Sequence, residues 1–326
     1  MYLLAGDIGG THTRLAIFAS DREGPLEPRL EQTFPSQAHP SLEAILEHFI
    51  QDQGLPIERA CFGVAGPVVG QTCDATNLPW KISAAAIQRR FGFAHTWLLN
   101  DLEANAWGID ALTPEDLHTL HPGNPEARGN VSIISAGTGL GEAGLYWDGQ
   151  VHRPFPSEGG HCDFGPSDKL EFALYEYLAE RHGHVSWERL VSGPGLETMH
   201  RFLCRYRSTL VPAWLLREIE RLGHARAISR AAMQGRDPIC EETLDLFVRL
   251  FGREAGNHAL KIMARGGVYL GGGIAPQILE RLRAGGFLEA FFAKGRMRHL
   301  LEAMPVRVIL NDRAALLGAA RYAARQ

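Results

Sequence analysis

Apolar and polar positions along this chain repeat one plan twice. Near the N-terminus an apolar run leads into Asp7-Ile8-Gly9-Gly10-Thr11-His12-Thr13-Arg14 and on into Leu15-Ala16-Ile17-Phe18. The alternation beyond the glycines has the two-residue period of a strand, so residues 1–20 are predicted as strand, tight turn, strand. The plan returns where Val131–Ala136 passes through Gly137-Thr138-Gly139-Leu140-Gly141 into Glu142-Ala143-Gly144-Leu145-Tyr146. Between the two copies, Ser41–Ile50 has helical spacing with Leu42, Ile45, Leu46 and Phe49 on one face. Ala60–Val64 reads as a strand ended by Gly66-Pro67, residues 82–91 as a helix, and Thr96–Leu99 as a short buried strand. After the second copy come helical stretches at 169–182, 214–234 and 238–264, then the strand Gly267–Leu270, the cluster Gly271-Gly272-Gly273, and a helix opened by Ala275-Pro276-Gln277. Strands alternating with helices predict α/β layers, and the repeated hairpin predicts a duplicated core.

The hairpins carry the first chemical signal. Adjacent glycines in a tight turn uncover backbone N–H groups, and such a nest can cradle phosphate oxygens. Asp7, at the tip of the first strand, is placed to hold a hydrated Mg²⁺. A dinucleotide-binding or Walker A loop would continue into a helix, whereas here a strand follows. An ordinary Gly-Gly hairpin is the plain alternative, and the second copy weighs against it. Gly271-Gly272-Gly273 would let an adenine or ribose lie against bare backbone, with a simple strand-to-helix turn as the competing reading.

Polar residues add an acceptor-side signal. Asn100-Asp101 stands at the carboxyl end of a strand, where ligands of open α/β sheets collect, although an Asp before a helix starting near Leu102 also serves as an N-cap. Glu158-Gly159-Gly160-His161 sets a carboxylate and an imidazole about a flexible Gly-Gly turn, a pair suited to bracketing vicinal hydroxyls. With only Cys162 nearby, that group falls short of a structural zinc set. Glu188 reads equally as a third sugar carboxylate or as an early-helix charge.

Composition removes whole classes of function. The 326 residues carry 33 basic and 37 acidic side chains, a formal net charge of −4 that offers no general attraction to nucleic acid or anionic membrane. Cys61, Cys73, Cys162, Cys204 and Cys240 form no C-x-x-C pair and read as reduced thiols of a cytosolic protein, and neither a leader peptide nor a membrane span is expected. A DNA-binding sugar sensor would need a helix-turn-helix ahead of the first hairpin, where the sequence has no room for one.

Together these motifs make the chain resemble bacterial glucokinases of the ATP-dependent hexokinase type, within the actin-like ATPase superfamily. The carriers are Asp7-Ile8-Gly9-Gly10-Thr11, Asn77 with Trp80, Asn100-Asp101, Gly137–Gly141, Glu158–Phe164, Leu190–Gly195 and Gly271–Pro276, in the family's order over nearly the whole chain. The resemblance implies a two-domain ribonuclease H-like fold with a duplicated mixed-sheet core, residues 1–110 plus 305–326 closing as a small domain over a large one of 111–304. It implies Asp101 as the base that receives the 6-hydroxyl proton of glucose, and Asn77, Asn100, Asp101, Glu158, His161 and Glu188 as sugar ligands. Gly9, Gly10, Thr11, Gly137, Thr138 and the three glycines at 271–273 fall to ATP, and Asp7 to Mg²⁺ through water. A cytoplasmic homodimer is the family's usual form. The chain departs from the family in two places: it lacks the cysteine-rich zinc motif that repressor-type relatives carry after E-x-G-H, and Leu102 stands where an aromatic residue is common. Competing readings are a kinase for mannose or an N-acetylhexosamine, a non-catalytic sugar sensor, and an ATPase or polyphosphate phosphatase.

Overall fold

In the computed structural model, which describes residues 2–19, 26–51, 53–75 and 78–326, the chain forms two compact units. The first comprises residues 1–116 and 311–326, the second residues 117–310. Asn77 lies outside the described residues.

In the first unit the predicted hairpin is β1 (Tyr2–Ile8) and β2 (His12–Ala19), followed by β3 (Glu27–Pro35), α1 (Leu42–Ile50), β4 (Ile57–Val64), three short strands β5 (Val68–Val69), β6 (Thr72–Asp74) and β7 (Lys81–Ser83), α2 (Ala84–Phe91), β8 (His95–Asn100) and α3 (Asp101–Gly108). The main sheet runs β3-β2-β1-β4-β8, antiparallel through the first three strands and parallel from β1 to β8. Successive side chains of β1 serve opposite faces. Leu4 and Ile8 join Ile45, Leu46 and Phe49 of α1, while Leu3 and Ala5 join Ala104 of α3 and Leu316, Ala319 and Ala320 of the C-terminal helix, Ala314–Arg325. By the same parity Asp7 ends the second face.

The second unit holds β9 (Leu117–His121), β10 (Val131–Ala136), β11 (Leu140–Trp147), β12 (His152–Ser157), α4 (Lys169–His182), α5 (Gly193–Tyr206), α6 (Ala213–Leu222), α7 (His224–Met233) and α8 (Pro238–Ile262). It continues with β13 (Gly267–Gly271), α9 (Ile274–Gln277), α10 (Leu279–Arg283), α11 (Gly286–Phe292), α12 (Arg298–Glu302) and β14 (Val306–Ile309). Its sheet runs β12-β11-β10-β13-β14-β9. The first five strands reproduce the plan of the other unit: an antiparallel triplet continued from one end by two parallel strands. The duplicated core is therefore present as expected, with β9 added antiparallel at the edge.

Two helical readings change in detail. The stretch 214–234 is not one helix: Gly223, at φ +81°, separates α6 from α7. α5 was not expected as a helix; Ser192 caps it by accepting the Gly195 N–H at 3.1 Å, and Pro194 sits in its first turn, where a missing N–H costs nothing. Among the described residues no helix is long and apolar enough to cross a membrane.

In the first unit the C-terminal helix crosses α3 at backbone contact. A Cβ on Gly318 would stand 1.7 Å from the Ala104 carbonyl oxygen, and one on Gly108 2.1 Å from that of Ala314. Gly318→Ala should destabilise the protein by about 1–3 kcal/mol in chemical denaturation, because overpacking against a carbonyl outweighs the helix propensity gained; an unchanged or raised midpoint would show that the crossing relaxes freely.

Candidate active site

In the first unit the site is built on three parallel strand ends. Asp7 on β1 lies in register with Gly63 on β4, and Gly63 in register with Leu99 on β8, two residues before Asp101. A Cβ at Gly63 would lie 2.7 Å from the Ala104 Cβ and 3.9 Å from the Asp101 Cα. The missing side chain thus lets α3 settle onto the sheet and brings Asp101 towards Asp7. Gly63 was legible only as a glycine inside an apolar strand, the mark of a close backbone approach.

Asn100, rather than Asp101, is the helix cap. Its Oδ1 accepts the Leu102 N–H at 3.0 Å and its Nδ2 donates to the Gly66 carbonyl at 2.9 Å, while α3 begins at Asp101 itself, one residue earlier than expected. Asp101 Oδ1 also accepts the Leu102 N–H, at 2.9 Å. Capping therefore explains Asn100, and leaves the placement of a second carboxylate to be explained otherwise.

Electrostatics mark the same spot. Asp7 is raised from its ordinary 3.8 to about 6, chiefly by burial and next by the negative charge of Asp101. Arg14 stands opposite Asp7 in the β1–β2 register, but its guanidinium is engaged by Asp312, with Nη2 to Oδ2 at 2.8 Å and Nη1 to the carbonyl at 3.2 Å. Asp312 also adds its own charge to those pushing Asp7 up. Arg14 still pulls Asp7 down, but less than burial and Asp101 push it up, and a raised carboxylate beside a second one fits a hydrated divalent cation.

The first glycine turn is held from behind by Ser36, which sequence reasoning did not single out. The buried Ser36 hydroxyl donates to the Gly9 carbonyl at 2.7 Å and its N–H donates to the Thr11 carbonyl at 2.9 Å, while Gly9 N–H closes the turn onto the His12 carbonyl. With those acceptors and the Gly9 N–H occupied, an anion would meet the donor side of Gly10-Thr11. The second turn repeats the device: Gly137 donates to the Gly139 carbonyl at 2.9 Å, and the Gly137 carbonyl accepts the Gly193 N–H at 2.8 Å.

The second unit brings Glu158, His161 and Glu188 together. His161 Nε2 lies 3.8 Å from Glu158 Oε2, and its Nδ1 3.8 Å from Glu188 Oε1. Glu188 does lie in the first turn of a 3-10 helix, Trp187–Arg189, but its side chain has a further engagement. It follows Trp187, which is buried edge-on against Phe164, and its Oε2 accepts the Leu140 N–H at 3.0 Å. A Cβ on Gly139 would come within 2.4 Å of that carboxylate oxygen, so the glycine hairpin and the polar cluster share one contact.

Gly159 and Gly160 are not a flexible turn. Both are buried in a 3-10 turn, where a Cβ on Gly159 would stand 1.9 Å from Glu142 Oε2 and one on Gly160 2.1 Å from the Leu140 carbonyl. They are glycines for close packing on β11, which fixes the residues on either side. Beneath them, Glu142 and Glu254 form a buried pair. No donor among the described residues reaches either Glu142 oxygen, and Glu254 is held by Asn257 at 2.7 Å and Lys261 at 3.5 Å. Burial and the charge of Glu254 push Glu142 up to about 8, so at neutral pH Glu142 keeps its proton for its neighbour.

Also within this unit, a cavity of about 540 Å³ is lined by Gly137, Thr138, Gly193, Pro194, Gly273, Ile274, Gln277 and residues of the α6–α7 junction. The three glycines at 271–273 divide by role. Gly271 makes room for the Ser135 hydroxyl, and Gly272, at φ +79°, lies against the Ala136 carbonyl; Gly273 has open space beside it and faces the cavity. The cavity's contributions from Gly193, Pro194 and Gly223–Ala225 went unread because no local pattern in those segments predicts their convergence.

A profile of the glucokinase family matches residues 4–326. The chain belongs to the glucokinase family. It is 41% identical over 337 residues to a glucokinase of Nostoc punctiforme, an alignment covering 99% of each chain. A crystal structure of glucokinase from an Antarctic psychrotroph, 30% identical, superposes with a TM-score of 0.88 over 100% of this chain and 99% of that one. At 22% identity and a TM-score of 0.65, the same fold is found in a ROK family glucokinase from Streptomyces griseus, solved with glucose and AMPPNP. These likenesses place the chain among the actin-like ATPase folds, as its two sheets already indicate.

Because Asp7 binds its proton more tightly in the fold than when exposed, its ionised form costs stability. The cost is full above about pH 6 and vanishes as pH falls towards 3.8. Asp7→Asn should therefore raise the unfolding free energy of the ligand-free protein by about 1–3 kcal/mol at pH 8 and change it little near pH 4. Denaturant titrations at the two pH values check this; equal effects at both would remove Asp7 from the strained pair.

Proposed function

We propose that this glucokinase-family enzyme transfers the γ-phosphoryl group of ATP to the 6-hydroxyl of glucose, with Asp101 as general base. The observation that carries the reading is the pairing of Asp101 with the raised Asp7 at the carboxyl ends of parallel strands. Phosphoryl transfer passes through a loose transition state that needs alignment and charge neutralisation more than a strong base. Asp101 orients the hydroxyl and accepts its proton as the new P–O bond forms. Fixed by the helix start and by Gly63, it does so without first reorganising.

The remaining assignments follow from donor type. Glu158, His161 and Glu188 supply acceptors and a switchable donor for sugar hydroxyls, and Asn100 adds an amide already oriented by Gly66 and Leu102. Asn77 is assigned to the sugar on the resemblance alone. Gly10, Thr11 and Thr138 take the phosphates through backbone N–H groups, while Gly9 and Gly137, whose own N–H groups close the two turns, leave the backbone bare for the phosphates to approach. We assign the base and ribose to the cavity at Gly273, in preference to Gly271 and Gly272, whose missing side chains are explained by internal packing. Asp7 would hold Mg²⁺ through water; when bound, that ion neutralises phosphate charge. A cytoplasmic location and a homodimer belong to the same reading.

Selectivity comes from the polar set, since a buried donor or acceptor left unmatched by the wrong epimer costs about 1–3 kcal/mol. Asp101→Asn should keep its glucose affinity, measured calorimetrically, and lose about 10²- to 10⁴-fold in turnover, because the amide keeps the shape but takes no proton. Near-normal turnover would remove Asp101 from the role of base.

A further inference from the structure

Outside the site described above, four soft and hard donors converge in the second unit. On α5, His200 and Cys204 are four residues apart and so share a helix face, with Cys204 Sγ 3.8 Å from His200 Nε2. At the start of α8, Asp237 caps the helix and Cys240 follows it by three residues. One donor atom from each of His200, Asp237 and Cys240 lies within 4.8 Å of the others. We propose that His200, Cys204, Asp237 and Cys240 form a structural zinc site that ties α5 to the N-terminal end of α8.

Helix capping accounts for part of this cluster but not for all of it. Asp237 Oδ1 accepts the Cys240 N–H at 2.8 Å, the ordinary work of a cap. Asp237 is only 7% exposed, however, and its side chain meets the Cys240 thiol, with no ion pair to a Lys or Arg among the described residues. His200 is 2% exposed and its ring meets nothing better than a thiol. Cys240 is fully buried and Cys204 half-buried, so the set is enclosed on one side and open to entry on the other. One imidazole, one carboxylate and two thiolates are a zinc ligand set, and the mixture of sulfur with nitrogen argues against magnesium or calcium. His200, Asp237 and Cys240 offer donors within 4.8 Å of one another and Cys204 Sγ lies 3.8 Å from His200 Nε2, so loading requires the four side chains to draw together by rotation.

Protonation fits the ligand-free condition. Burial, with the nearby charge of Asp237, pushes both thiols up, and burial holds His200 below its usual range, so the ring is a neutral ligand at pH 7. Zinc would displace one proton from each thiol into solvent and supply the positive charge that Asp237 lacks. Other ionisable groups acting on the cluster are Arg201 on α5, His224 on α7 and Glu241 on α8. The first turn of α5 carries Gly193, Pro194 and Glu197 of the 540 Å³ cavity wall. A metal clamp two turns further along would fix that wall from behind, and it takes no part in phosphoryl transfer.

The test is metal binding by the full chain, free of any histidine tag. After dialysis against zinc and then against buffer, elemental analysis should find one zinc per chain. The metal-stripped protein, titrated with Co²⁺, should show tetrahedral ligand-field bands and a thiolate-to-cobalt charge-transfer band. Cys204→Ser, at a half-buried position that tolerates the change, and Cys240→Ser should each lower cobalt affinity more than about 100-fold, since losing a ligand costs more than losing a supporting partner. Cys162→Ser should leave the titration unchanged. A colourless titration, cobalt bands without the thiolate transition, or a charge-transfer band that survives in Cys204→Ser would each overturn the proposal. Cys204→Ser keeps the test decisive if Cys240→Ser fails to fold.

Discussion

Two carboxylates that repel each other set the terms for the first unit. Asp7 and Asp101 stand at the ends of β1 and β8 on either side of β4, and Gly63 lets them approach by having no side chain. Arg14, whose charge lowers Asp7, is shared with Asp312. The fold therefore keeps Asp7 near 6 instead of relaxing it to an ordinary carboxylate. An arrangement that costs stability persists where ligand charge offsets it, and a phosphoryl-transfer centre supplies such charge. The tight crossing of α3 with the C-terminal helix serves this purpose, because α3 carries Asp101 on its first residue.

The second unit solves a different problem with the same local plan. Its glycine hairpin is joined to the Glu158–His161–Glu188 cluster through Glu188, which accepts the Leu140 N–H where Gly139 leaves room. Hairpin and polar cluster are thus one mechanical piece. The loop Glu158–His161 gains its rigidity from below, where Gly159 packs against Glu142, itself paired with Glu254. A polar site of this kind selects a substrate because its groups cannot swing to suit another.

What could be read from the sequence was local. The two hairpins, the amphipathic α1 with Leu42, Ile45, Leu46 and Phe49, and the polar residues flanking Gly159-Gly160 all declare themselves by period or by turn chemistry. What escaped depends on distant contacts. Ser36 stabilises Gly9 from 27 residues away, Gly193 meets Gly137 across 56 residues, and neither has a neighbour that signals the role. Capping competed with a chemical role for Asp101 because Asn100 and Asp101 are both good caps, and only the backbone and hydrogen bonds of Asn100 give the cap to that residue. The 214–234 helix was read as continuous because its apolar spacing runs through Gly223, whose positive φ appears only in three dimensions. Glu188 was ambiguous for the same reason: its partner, Leu140, lies 48 residues earlier.

We propose that the Asp7–Asp101 pair stays in repulsion until a divalent cation binds. The Asp7 carboxyl carbon can be followed by NMR across pH, in the protein labelled at aspartate and assigned with Asp7→Asn. Its midpoint should lie near 6, fall in Asp101→Asn and fall again when Mg²⁺ and a non-hydrolysable ATP analogue are added. A midpoint close to 3.8, unmoved by Asp101→Asn and by magnesium, would contradict the proposal.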